Sequence, residues 1–142
     1  MYEDKAKEYL INKIKTASPM ELVIIVYDTA ISSLNCVYDD WEQKDPRMAF
    51  THILKAQKCL RELKSSLNME IEEMSHSLFS LYRVLDKMLI RVQREKDKVL
   101  LDKIIKMLTE LRDTWIEVAK KEPSRPQHMA HTAGASYINT YK

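Results

Sequence analysis

Few residues in this chain are suited to chemistry. Glu73 and His76 make one Glu-x-x-His pair, whereas a di-metal site in a helical bundle needs two such pairs and two further carboxylates facing inward. The apolar periodicity around them puts both residues on a polar helix face. His76, within "SHSLFSLY", is also the kind of histidine a phosphorelay could use, but an exposed lone histidine is usually just solvated. No glycine follows it to admit a docking receiver. His128 and His131 offer two metal ligands without a rigid frame.

Cys36 and Cys59 have neither CxxC nor zinc-type spacing. On helices joined near Asp45, one lies nine residues before the turn and the other fourteen after it. That leaves an axial mismatch of about 7 Å, so the expectation is two reduced, buried thiols. Gly-rich phosphate loops, nucleophile elbows and Cys/His pairings are missing from the sequence. The reading is of a protein that is not an enzyme and needs no cofactor or metal.

The elements behind these residues are helical. The 142 residues include one glycine and four prolines, a composition that favours long helices and starves turns and strands. The length suits one domain with its own core. Basic and acidic residues, 23 and 21, are mixed along the chain and leave a net charge of +2. Such a surface does not concentrate nucleic acid or anionic membrane. "MYEDKAKEYL" lacks the apolar core of a signal peptide, and no apolar run approaches the roughly 20 residues that span a bilayer. Neither nucleic-acid binding nor membrane insertion is expected, and the location expected is the cytoplasm.

Four punctuated helices follow a lead of residues 1–17. Ser18 as N-cap, Pro19 at the first helical position and Glu21 completing a capping box open a helix over about 19–42. Asp45 and Pro46 open a second, 46–67, on which Ala49, Ile53, Ala56, Leu60, Leu63 and Leu67 recur at four- and three-residue steps. A third, 70–94, carries Met74, Leu78, Leu81, Leu85, Met88 and Val92 on one face. A fourth, 98–121, carries Ile104, Leu108, Leu111, Trp115 and Val118. Short loops between helices of similar length predict an all-α, antiparallel up-and-down four-helix bundle. It occupies a single domain, 1–122, with a short N-terminal lead segment or helix. Residues 123–142 hold two prolines, the glycine and no helical stripe, and read as a mobile tail.

The apolar surface exceeds what that seam uses. With Leu22 at zero on a wheel of 100° per residue, the core stripe of the 19–42 helix spans about 40° to 180°, while Ile25 falls at about 300°. Phe79 and Ile90 sit together off the stripe of the third helix, and Ile105 and Ile116 repeat this on the fourth. Each pair is eleven residues apart, three turns, and so marks a line along a flank. Phe50 and Leu54 add a short line on the second helix. Any one pair is commonly a widened core edge. Four helices sharing the excess point instead to shallow apolar grooves that would take an amphipathic helix or extended apolar segment of a partner. Residues 9–14, "YLINKI", could fill such a groove as a cover over Leu22 and Ile25.

With Tyr9, Asn12, Ile14, "TASP", "ELVIIVYDTAI", "KAQKCLRELKSSLNME" and "LRDTWIEVAK" in view, the chain resembles the flagellin-export chaperones, the FliS family, over about residues 9–121. The resemblance implies a cytosolic helical-bundle chaperone that binds the C-terminal segment of flagellin, prevents premature polymerisation and assists delivery to the flagellar type III export apparatus. An export-gate component or other flagellar regulators are further candidate partners. The partner-binding candidates are Tyr9, Ile14, Leu22, Ile25, Phe50, Leu54, Phe79, Ile90, Ile105 and Ile116. The alternative is another helical interaction module or regulator using the same grooves. Two departures stand out: Thr29 replaces the glycine of the family's usual "LYDGAI", and Ile116 stands where a charged residue is common.

Overall fold

The computed structural model describes residues 2–67 and 73–121, and these form five helices and no strand. They are α1 Tyr2–Thr16, α2 Pro19–Glu42, α3 Pro46–Ser65, α4 Glu73–Glu95 and α5 Lys98–Lys121. The bounds of α2 and α5 coincide with those expected from sequence. The lead is a full helix, α1. The expected start of the third helix at 70–72 and the tail at 123–142 lie outside the described residues.

Side-chain caps set these boundaries. Ser18 Oγ accepts from the Glu21 amide at 3.2 Å and Asp45 Oδ1 from the Met48 amide at 3.1 Å. Asp97 Oδ1 accepts from the Leu100 amide at 3.0 Å, so α5 has an acidic N-cap too. α3 stops at Ser65, two residues early, because Ser66 turns its hydroxyl back onto the Leu63 carbonyl and its amide onto that of Glu62, while the Leu67 amide bonds the Lys64 carbonyl. Two turns share one construction: Lys44 and Lys96 take left-handed backbone angles, φ 55° and 52°, and each precedes the Asp that caps the next helix.

Packing follows the sequence stripes. α2 lies against α3 and α5, and α4 against α3 and α5. Val23, Val26, Tyr27, Ala30, Leu34 and Val37 of α2 are fully buried with Ile53, Leu60 and Leu63 of α3. Leu85, Leu89 and Val92 of α4 and Leu101, Ile104 and Leu108 of α5 close the core. Each such side chain contributes about 1.5–3 kcal/mol of burial. Tyr82, Leu89 and Leu101 belong to the core although the stripes named above omit them.

Between α2 and α5 the paired side chains are Asp28 with Arg112 at 3.1 Å, Tyr27 with Trp115 at 3.2 Å, and Tyr38 with Asp102. Between α3 and α4, Gln57 Nε2 donates to the Asp86 carbonyl and the Lys64 ammonium lies 5.6 Å from the centre of the Phe79 ring. In each set one residue number rises as the other falls.

Two expectations need correction. Cys59 is a buried free thiol, but Cys36 is exposed, because at about 320° on the wheel it falls outside the core stripe of α2. α2 is, by length and composition, apolar enough to cross a membrane, since the few charges interrupting its apolar runs do not lower its mean hydropathy enough. It is the core helix of the assembly, with more than half of that stretch buried inside the protein.

Candidate partner-binding surface

The candidate residues fall into three places. At the start of α2, Ile14 is 2% exposed and Ile25 5%, and both belong to the main apolar cluster. Leu22 and Leu10 are half-buried against it. Tyr9, by contrast, is 70% exposed. The lead therefore engages the core through its last turn, and the expected cover over residues 9–14 is anchored at Ile14 rather than at Tyr9. Ile25, off the core stripe on the wheel, is as well buried as the stripe itself.

The second place is the outer edge of α3 and α4. The Gln57–Asp86 and Lys64–Phe79 pairs fix the register between these helices. At 1.5 Å per residue it puts Ile90 between the levels of Leu54 and Phe50. Phe50 and Ile90 each leave about half their surface in water, at 51% and 52%. Leu54 and Phe79 are half-buried. Val84, on the same helix as Ile90, is exposed as well and was not among the candidates.

On α5, Ile105 is half-buried against the core and Ile116 is half-buried. These two are edges of the packed region more than open surface.

A cleft of about 430 Å³ at the turn end of α2 and α5, lined by Tyr38, Trp41, Glu42, Lys96 and Lys98, also escaped the sequence reading. No single-helix period could reveal it, since its walls come from elements brought together by folding. The same is true of a polar cluster inside the core. Trp115 Nε1 donates to Tyr27 Oη, which also bonds to Tyr82 Oη. Burial pushes both phenols above the ordinary tyrosine value, so they stay neutral and act as hydrogen-bonding groups. Nearer the surface, the hydrogen bonds that the Arg112 guanidinium donates to Asp28 and Asp113 raise its pKa.

His76 is exposed, the Glu73 side chain lies outside the described residues, and no group of three or more His, Cys, Asp or Glu among the described residues could hold a metal ion.

The profile of the family described as "Flagellar protein FliS" matches residues 1–122. The chain belongs to the FliS family. It is also similar to the flagellar secretion chaperone FliS of Bacillus subtilis (strain 168), at 26% identity over 114 residues, 80% of this chain and 85% of that protein. FliS membership places it among flagellar export chaperones rather than enzymes. The family match ends at 122, which leaves the last twenty residues outside it.

Proposed function

We propose that this protein binds the C-terminal segment of flagellin in the cytoplasm, keeps it from polymerising, and assists its delivery to the flagellar type III export apparatus. Family membership supports the export role. The observation that carries the binding surface is two large apolar side chains on neighbouring helices, Phe50 and Ile90, each about half exposed and within about one helical turn of the same level. Half-exposed apolar side chains gain on the order of 1 kcal/mol each when a partner covers them. A segment that folds on binding commonly buries about 1,000–3,000 Å², so Leu54 and Phe79 on this edge, and Ile105 and Ile116 on α5, would extend the contact.

The opposed pairings across α2/α5 and α3/α4 support an antiparallel up-and-down four-helix arrangement within a single domain, 1–122. Its flanks carry apolar residues three turns apart, a line along which an amphipathic partner helix could lie. In this reading α1 borders the surface, Ile14 anchors it beside Leu22 and Ile25, and Tyr9 is free to meet the partner.

Co-purification of flagellin with the wild-type protein and with Phe79→Asp, Ile105→Asp and Ile90→Asp tests the surface. The expected result is loss of flagellin with the helical circular dichroism signal retained. Undiminished co-purification with all three folded variants would overturn it.

A further inference from the structure

The last five residues, Ile138-Asn139-Thr140-Tyr141-Lys142, repeat the pattern of Ile11-Asn12-Lys13-Ile14-Lys15. Each has isoleucine and asparagine, then a large apolar residue at the fourth position and lysine at the fifth. A tyrosine stands shortly before each, Tyr9 and Tyr137. The fourth position of the first copy is Ile14, the best-buried residue of α1. The residues 4–9 of the same helix are exposed. α1 thus holds to the rest of the protein chiefly by the residue that the C-terminal copy replaces with Tyr141.

Chain geometry brings the second copy within reach. The pairs Asp28–Arg112 and Tyr38–Asp102 run in opposite senses along α2 and α5, so Lys121 ends α5 at the level where α2 begins. Ile14 lies at that same end, its carbonyl accepting from the Ala17 amide just before Ser18 caps α2. Twenty links separate Lys121 from Tyr141. Extended, they span up to about 65 Å, well beyond the roughly 36 Å length of the 24-residue α5. A tethered segment of this length meets its seat at an effective concentration on the order of millimolar.

We infer that residues 138–142 are a second, tethered ligand for the seat of Ile14: Tyr141 enters when α1 leaves, and the two ends of the chain exchange there. Tyrosine is larger than isoleucine and carries a hydroxyl that must keep a partner, so Ile14 is the stronger occupant. The exchange keeps the apolar seat covered whenever α1 is displaced. It does not depend on what the protein binds.

The full-length chain tests this by disulfide trapping in a Cys36→Ser background. Lys142→Cys is paired with Glu21→Cys, in the first turn of α2, or with Arg47→Cys at the opposite end as control. With the seat emptied by Ile14→Ala, the 142–21 bridge should form within one chain at least about fivefold faster than the 142–47 bridge, a preference that tethering to a specific seat produces. Adding Tyr141→Ser should erase the preference. Equal rates at the two positions, bridging only between chains, or a preference that survives Tyr141→Ser would each overturn the inference.

A second measurement leaves Ile14 in place. Hydrogen exchange across residues 9–14 should slow by about twofold or more in Tyr141→Ser, because a competitor for α1's anchor is gone. Unchanged exchange contradicts the exchange of ends. Neither experiment contains flagellin, so its failure leaves the proposed function standing and the reverse also holds.

Discussion

Replacing Ile25 and Ile90 in turn by aspartate separates the core from the docking surface. Ile25 is 5% exposed within the main cluster. Aspartate there forfeits about 2–3 kcal/mol of side-chain burial. It also places a carboxyl among apolar groups, which costs at least about 2 kcal/mol more even when the group stays neutral. The sum, about 4–5 kcal/mol, approaches the whole stability of a typical domain. Ile90 is 52% exposed, so its burial loss is only about 1 kcal/mol. Its helical neighbours four residues away are Asp86 and Arg94, whose effects on a new carboxylate oppose each other at a few tenths of a kcal/mol. Urea unfolding followed by far-ultraviolet circular dichroism should show Ile25→Asp largely unfolded and Ile90→Asp lowered by no more than about 1.5 kcal/mol, with flagellin affinity reduced at least tenfold in the latter. Equal destabilisation by both substitutions would mean that the α4 flank is core and that the docking reasoning is wrong.

Three further outcomes follow from the same structure. Lys44→Gly and Lys96→Gly should each stabilise the protein by about 0.5–1 kcal/mol in urea titrations, since both positions hold left-handed angles that cost a side-chain-bearing residue. A thiol reagent at pH 8 should modify Cys36 quickly and Cys59 only on unfolding, because Cys59 is enclosed and burial pushes its pKa up to about 12. Stability should fall as pH rises above about 9, and more steeply above about 10. Cys59, Tyr27 and Tyr82 all have native pKa values raised above their ordinary 9.0 and 10.0. Each therefore favours the folded state fully below its unfolded value and loses that contribution, up to about 1.4 kcal/mol per pH unit and group, as pH climbs toward the native value. Urea midpoints from pH 8 to 11 check this, and Tyr82→Phe should flatten the slope.

Helix ends were legible because they are written locally. Ser18 with Pro19 and Asp45 with Pro46 hold their cap signals within four residues, and the structure uses each of them. The stripes of α2 and α3 were legible for a related reason, since a 3.6-residue period needs no knowledge of the neighbour. What depended on neighbours was not. Ile25 lies off its own helix's stripe yet is enclosed, and Cys36, expected inside, faces out. The Tyr27–Tyr82–Trp115 contacts join three helices whose relative register no single-helix pattern contains. The surface residues divide in the same way: Phe50 and Ile90 are exposed, whereas Ile105 and Ile116 are partly covered, and Tyr9, expected to cover Leu22 and Ile25 with the rest of the lead, projects into solvent.

The central claim is that the partner is the C-terminal segment of flagellin. Titration calorimetry of the purified protein with full-length flagellin monomer, and with flagellin lacking that segment, tests it most directly. The account predicts binding to the first with a negative heat-capacity change, as burial of apolar surface requires, and no measurable heat with the second. Equal binding to both would contradict it.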